Sequence, residues 1–165
     1  MLLEIAKSAD VAASVGASWE LIHDVPRLVG CIPGVSDLKQ LEDPRHYSAV
    51  VSEKLGPFKL QFPVHIAIQS EEPPRHIVAE LTGADGKGQA RVKGQLEGTL
   101  EAAGEGARLN LNVQMEILGK LVSLGAAPMR RRADEIFSEF VRRVQTELKE
   151  TTSPKGSVKG DEAAG

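Results

Sequence analysis

From Phe58 onward every second residue is apolar: Phe58, Leu60, Phe62, Val64, Ile66 and Ile68, with Lys59, Gln61, His65 and Gln69 on the alternate positions. The pattern returns twice. Ala90, Val92, Gly94, Leu96, Gly98 and Leu100 take the even positions of one stretch; Ala107, Leu109, Leu111, Val113, Met115 and Ile117 take the odd positions of the next. Side chains alternate across a strand, so each set occupies one face of a half-buried antiparallel sheet. That face needs a cover, and the chain offers one large candidate. Met129, Ala133, Ile136, Phe137, Phe140, Val141, Val144 and Leu148 fall at i, i+3, i+4 spacing and form one apolar stripe of a helix. A sheet curved around a single long helix can hold an apolar ligand between the two.

Turn chemistry sets the register. Gly56-Pro57 suits a two-residue hairpin loop, glycine taking the positive φ and proline the next position. Leu55 then faces Phe58, Val51 faces Phe62, Ala49 faces Val64 and Tyr47 faces Ile66. Lys54 meets Lys59, and Glu53 lands on the apolar face opposite Leu60. Turns at Ser70–Arg75 and Gly83–Gly88 predict Leu81 opposite Ala90 and Ala79 opposite Val92. A turn at Ala103–Gly106 predicts Leu100 opposite Leu109 and Gly94 opposite Met115. Three hairpins that agree in face imply a meander.

Upstream, residues 2–12 read as a first strand. A short helix is expected from about Ser18, a second over Arg27–Cys31 after Pro26, and strands over Val35–Leu41 and Tyr47–Leu55. Pro128 is expected to break or kink the C-terminal helix near its start. Residues 1–150 read as a single domain, and residues 151–165, rich in Gly, Ser, Lys and Thr, as a disordered polar tail.

This order resembles the helix-grip fold of the Bet v 1/START-like (SRPBCC) superfamily: an α+β fold whose curved seven-stranded antiparallel sheet carries two short helices and a long C-terminal helix. Within it the chain is similar to the G-subunit family of carbon monoxide dehydrogenase. The residues that carry the likeness are Trp19-Glu20-Leu21-Ile22-His23-Asp24 with Pro26, Cys31-Ile32-Pro33-Gly34-Val35, Leu55-Gly56-Pro57-Phe58, and Gly119-Lys120-Leu121 with Leu124-Gly125. The likeness spans roughly residues 2–148. It implies an accessory role beside a molybdenum hydroxylase of the carbon monoxide dehydrogenase type, linking it to the membrane. It carries over no catalytic set. Family members commonly add a C-terminal extension proposed to contact the membrane, whereas residues 151–165 here offer no apolar segment.

The net charge of −3 and an aromatic content of 4% argue against a nucleic-acid binder. The start lacks a secretory pattern, and no stretch approaches the ~18 apolar residues of a membrane span. The expected location is cytoplasmic, with peripheral contact at the inner face of the membrane. Cys31 reads as a small buried apolar residue rather than a nucleophile, since His23 is the only local base. The four histidines lack metal-ligand spacing. Gly83–Gly88 has the glycines of a phosphate loop but leads into a strand, so it reads as a hairpin turn. The arginines at 130–132 and 142–143 read as a salt-bridged solvated face, pairing Arg130 with Asp134, Arg131 with Glu135 and Glu139 with Arg143.

The expectation is therefore a non-enzymatic binding or carrier protein for an apolar small molecule. The family likeness points to an isoprenoid quinone or a lipid, with no metal and no covalent cofactor. The sheet would line the cavity with Phe58, Phe62, Val64, Ile66, Val92, Leu96, Met115 and Ile117, and the helical region with Leu121, Leu124, Met129, Phe137 and Phe140. Glu53 and Tyr47 are the candidate polar anchors. The favoured reading of Glu53 is nonetheless structural: wetted at the cavity mouth, or turned outward by a bulge. Gly125–Pro128 could form the moving edge of an entrance. Two alternatives are a recruitment adaptor that binds the hydroxylase without a ligand, and a polyketide cyclase-like enzyme. The latter would need more titratable residues on the inner face.

Overall fold

The computed structural model describes residues 1–152, with side chains through Lys149. Seven strands form one antiparallel sheet: β1 (Leu2–Val11), β2 (Val35–Gln40), β3 (His46–Leu55), β4 (Phe58–Glu72), β5 (His76–Ala84), β6 (Arg91–Ala103) and β7 (Gly106–Leu118). The order across the sheet is β1-β7-β6-β5-β4-β3-β2, a meander with the N-terminal strand added at its far edge. Between β1 and β2 lie α1 (Val15–His23) and α2 (Val25–Gly30). After β7 come a 3₁₀ turn (Lys120–Leu124) and the long helix α3 (Ala126–Thr152). The tail expected from residue 151 lies outside the described residues, except Thr151 and Thr152, which continue α3.

Local chemistry explains the boundaries. Ser14 caps α1 by accepting from the Ala17 amide at 3.1 Å, so the helix begins at Val15 rather than at Ser18. Asp24 both ends α1 and caps α2, and Pro26 occupies the first turn of α2, where its missing N–H costs nothing. The 3₁₀ turn is flanked by Gly119 and Gly125, at φ 102° and 78°. Gly125, not Pro128, makes the break. Pro128 sits in the first turn of α3, a position that has no intrahelical acceptor to lose.

The register at Gly56-Pro57 is the expected one, pairing Leu55 with Phe58, Glu53 with Leu60 and Tyr47 with Ile66. The β6–β7 pairing also matches, with Leu100 opposite Leu109 and Gly94 opposite Met115. The β5–β6 register differs: Leu81 faces Gly94 and Ala79 faces Leu96, four residues along from the expected partners. The cause is a longer loop. Asp85 accepts from the Lys87 and Gln89 amides at 3.0 and 3.2 Å, so β6 pairing starts only at Arg91. The shift is an even number, so every side chain keeps its face.

Packing is concentrated at the two ends. At one, Leu3, Ala49, Leu60, Phe62, Val64, Ala90, Val92, Ile117, Leu121 and Met129 form a buried cluster under the 3₁₀ turn and the start of α3. At the other, Trp19, Leu21, Ile22 and Cys31 of the short helices meet Leu100, Ala107, Leu109, Val144 and Leu148. A small third cluster joins Val25 and Val29 to Tyr47.

Candidate functional site

The concave face between these ends is not sealed. Leu81, Leu96, Leu111 and Val113 share the inward face with the buried residues by register, yet each is only half-buried. Opposite them, Ala133, Phe137 and Val141 of α3 are half-buried as well. Leu96, Leu111, Val113, Phe137 and Val141 belong to neither buried cluster nor to the side chains packed against one. A sheet with a helix laid flat on it would bury this middle most deeply. Here α3 bridges over it, making its main sheet contacts with the edge strand β1 and with β3.

Polar bolts on both flanks hold the helix at that height. Toward β1, Arg130 donates to the Glu4 carbonyl at 2.7 Å, Asp134 pairs with Lys7, and Gln145 donates to the Asp10 carbonyl at 3.2 Å. Toward the other side, Arg132 grips Glu53 through Nε at 2.6 Å and Nη2 at 3.2 Å, and Glu147 pairs with Arg27 at 3.3 Å. Positions 130, 134 and 145 fall on one flank of the helix, and 132 and 147 on the other, with the apolar stripe between them. The expected pair Glu139–Arg143 forms at 2.8 Å. Arg130–Asp134 and Arg131–Glu135 do not, because Asp134 is engaged by Lys7 and Glu135 by Arg132.

The polar groups on the inner face stand at its rim, each with a partner. Glu53 does face inward, at 11% side-chain exposure, and is neither turned outward by a bulge nor left to water. Its two-pronged bond to Arg132 satisfies it, and that bond raises the Arg132 guanidinium above its ordinary pKa. Gly34 packs so closely against this pair that a Cβ there would lie 2.5 Å from Glu53 Oε2. Lys7 occupies an odd position of β1 with Leu3, Ile5 and Val11, hence its contact with the helix. Glu71 points inward because a bulge between Ile68 and Ser70 shifts the β4–β5 register by one residue, and it meets His23 at 2.8 Å. Buried Tyr47 lies 3.4 Å from Gln40 Nε2, which donates to its hydroxyl.

The expected lining residues divide in two. Phe62, Val64, Val92, Ile117, Leu121 and Met129 are buried in the dense end beneath the 3₁₀ turn. Phe58, Ile66, Leu96, Met115, Leu124, Phe137 and Phe140 keep partial exposure. Phe137 and Phe140 meet at a tilt with ring centres 6.2 Å apart. Gly94 and Gly98 do not receive the helix. A Cβ on Gly94 would meet the Met115 side chain at 3.2 Å and the Gln114 carbonyl at 3.0 Å, and one on Gly98 only Ile77 at 3.4 Å. Met115 therefore fills the space at the first glycine.

Cys31 is 2% exposed, and burial pushes its thiol pKa up, the opposite of an activated nucleophile. His46 and His65 touch at 3.0 Å and His76 meets Glu97 at 2.6 Å, all on outward strand positions. Among the described residues, no group of three or more His, Cys, Asp or Glu is arranged to hold a metal.

The sequence profile of CoxG, the G subunit of carbon monoxide dehydrogenase, matches residues 8–149. The chain belongs to this family. Its fold is shared by a conserved protein from Geobacillus kaustophilus, with 22% identity over 90% of this chain and 97% of that one and a TM-score of 0.81. Ara h 8.0201 is similar at a TM-score of 0.64, with 10% identity over 91% of this chain and 99% of that one. The Zhui aromatase/cyclase from Streptomyces sp. R1128 aligns at a TM-score of 0.63, with 14% identity over 93% and 98%. At these identities the three structures establish the helix-grip fold alone. No curated protein matches the sequence. The CoxG name ties the family to carbon monoxide dehydrogenase as an accessory component. No helix among the described residues is long and apolar enough to cross a membrane.

Proposed function

We propose that this CoxG-family chain is a non-catalytic carrier for an apolar small molecule, an isoprenoid quinone or a lipid. As an accessory component it would link a carbon monoxide dehydrogenase-type molybdenum hydroxylase to the membrane quinone pool. The observation that carries the reading is the half-buried apolar strip Leu81, Leu96, Leu111, Val113, Phe137 and Val141, walled by sheet and helix and bordered by charges already paired with one another. A guest there meets hydrocarbon on two sides and finds its polar contacts only at the rim, as in most small-molecule pockets. A hydroxylase that must deliver electrons to a lipid-soluble acceptor needs such a shuttle. Catalysis on the guest would require an acid or base on the inner wall, and the inward carboxylates Glu53 and Glu71 are held in ion pairs at its edge.

A recruitment adaptor without ligand is the second reading. It is favoured by the burial of six expected lining residues in the dense end, which leaves less room for a guest. Organic extraction of natively purified protein, followed by mass spectrometry, separates the two. A stoichiometric prenylated or acyl species is the expected result. An empty extract from protein that still binds the hydroxylase tightly would overturn the carrier reading in favour of the adaptor.

A further inference from the structure

The four histidines are not equivalent. His23 and His76 each meet a carboxylate, at 2.8 and 2.6 Å. His46 and His65 meet each other instead, Nδ1 of the first lying 3.0 Å from Nε2 of the second. Strand parity puts both on the convex face, since their neighbours Tyr47, Val64 and Ile66 point inward. They stand diagonally across the β3–β4 pair, His46 opposite Ala67 and His65 opposite Ser48. Those partners are small and the His46 side chain is 39% exposed, so the space above the two rings is open.

The separation suits a metal ion as well as a proton. Two imidazole nitrogens bound at about 2.0–2.1 Å lie about 2.9 Å apart at a right angle and about 3.3 Å apart at a tetrahedral one. The rings are tilted by 44° with centres 4.9 Å apart, and a modest turn of the exposed His46 ring lets both nitrogens converge on one ion. Asp43 prepares that ring. Its Oδ1 accepts from the Arg45 amide at 3.0 Å, which fixes the carboxylate, and its Oδ2 lies 3.6 Å from His46 Nε2. The carboxylate favours the proton on Nε2 and leaves the Nδ1 lone pair turned to His65, as the partners of metal-bound histidines do. His65 Nε2 then donates to His46 Nδ1. On coordination that proton moves to His65 Nδ1, and no net proton is released.

We propose that His46 and His65 form a site for a divalent transition-metal ion of the class that favours imidazole, Cu²⁺, Ni²⁺ or Zn²⁺, with water in the remaining positions. Two protein ligands hold the ion less tightly than the four of a closed structural site and leave it free to exchange. The site joins β3 to β4 on the face turned away from the hollow. It therefore stands or falls independently of the carrier and adaptor readings. Mg²⁺ and Ca²⁺ prefer oxygen ligands and are not expected to bind.

Isothermal titration of the untagged, chelator-treated full chain with each ion tests it. Cu²⁺ should bind most tightly, Ni²⁺ and Zn²⁺ more weakly, and Mg²⁺ not at all. Zn²⁺ should also raise the melting temperature, because an ion held by the folded chain alone stabilises it. His46→Gln and His65→Gln should each weaken binding at least about tenfold and remove that rise. Asp43→Asn, which can still accept the Arg45 amide, should weaken binding about tenfold. His23→Gln and His76→Gln should bind like the parent, with circular dichroism confirming that every variant folds. No binding of any of the three transition-metal ions would overturn the proposal. So would full affinity in both His46→Gln and His65→Gln, or an equal loss in His23→Gln or His76→Gln. Unchanged affinity in Asp43→Asn would overturn the orienting role of the carboxylate.

Discussion

The end beneath the 3₁₀ turn and the middle of the concave face use the same residue types on the same strands, yet one is dense and the other open. Phe62 and Val64 are buried, while Ile66, two residues on along β4, is not. The difference lies in what stands opposite. At the dense end Leu121 and Met129 descend onto the sheet; in the middle the helix is carried on side bolts to β1, β3 and α2. Alternating apolarity decides which way a side chain points, and the height of the cover decides whether it is buried.

The largest effect is expected where packing is densest. Phe62→Ala should cost about 3–5 kcal/mol in chemical unfolding, because neighbours buried on every side cannot collapse into the void. A cost near ~1 kcal/mol would mean that this end is as loose as the middle. Next comes the Glu53 bolt. Arg132→Met should cost about 2–3 kcal/mol by leaving a mostly buried carboxylate without its partner. Adding Glu53→Met should restore most of the loss. Failure of that rescue would show that the guanidinium stabilises the helix through other contacts.

In the middle the expected costs are smaller, and enlargement is better tolerated. Leu96→Ala should cost about 1 kcal/mol, half or less of a fully buried leucine truncation. Leu96→Phe should cost under about 1 kcal/mol because the ring can grow into open space, whereas Ala49→Phe in the dense cluster should cost about 1–3 kcal/mol or more. Equal penalties for the two enlargements, read from denaturant midpoints, would close the hollow.

Much of the fold beneath this contrast can be read from the residues. Period-two apolarity assigns the inward faces, and Gly56-Pro57 fixes a register that holds through Tyr47 and Ile66. Lys7 is an inward charge that strand parity alone marks, in phase with Leu3 and Ile5. The β5–β6 register does not follow from the pattern. Asp85 holds together a longer loop there, through hydrogen bonds to backbone amides that no residue periodicity displays. Glu71 is hidden for a related reason, a bulge that reverses parity after Ile68. Which lining residues are dense and which open is not legible at all. It depends on Arg132, Asp134 and Gln145 meeting Glu53, Lys7 and Asp10, partners remote in the chain.

The smallest effect concerns Glu139 on the outer flank of α3. Hydrogen bonds from Arg142, then Arg143, pull its pKa down to about 2. A depressed carboxylate stabilises the fold above its unfolded pKa, about 4.3, and that contribution disappears as the pH falls from there toward about 2. Glu139→Gln should therefore lower the melting temperature slightly at about pH 7, less at high salt, and not at all near about pH 2. The group is solvent-exposed, so water and ions screen most of the attraction. A loss at neutral pH as large as that of Arg132→Met would mean that the outer flank, rather than the bolts facing the sheet, sets the height of the helix and with it the openness of the middle.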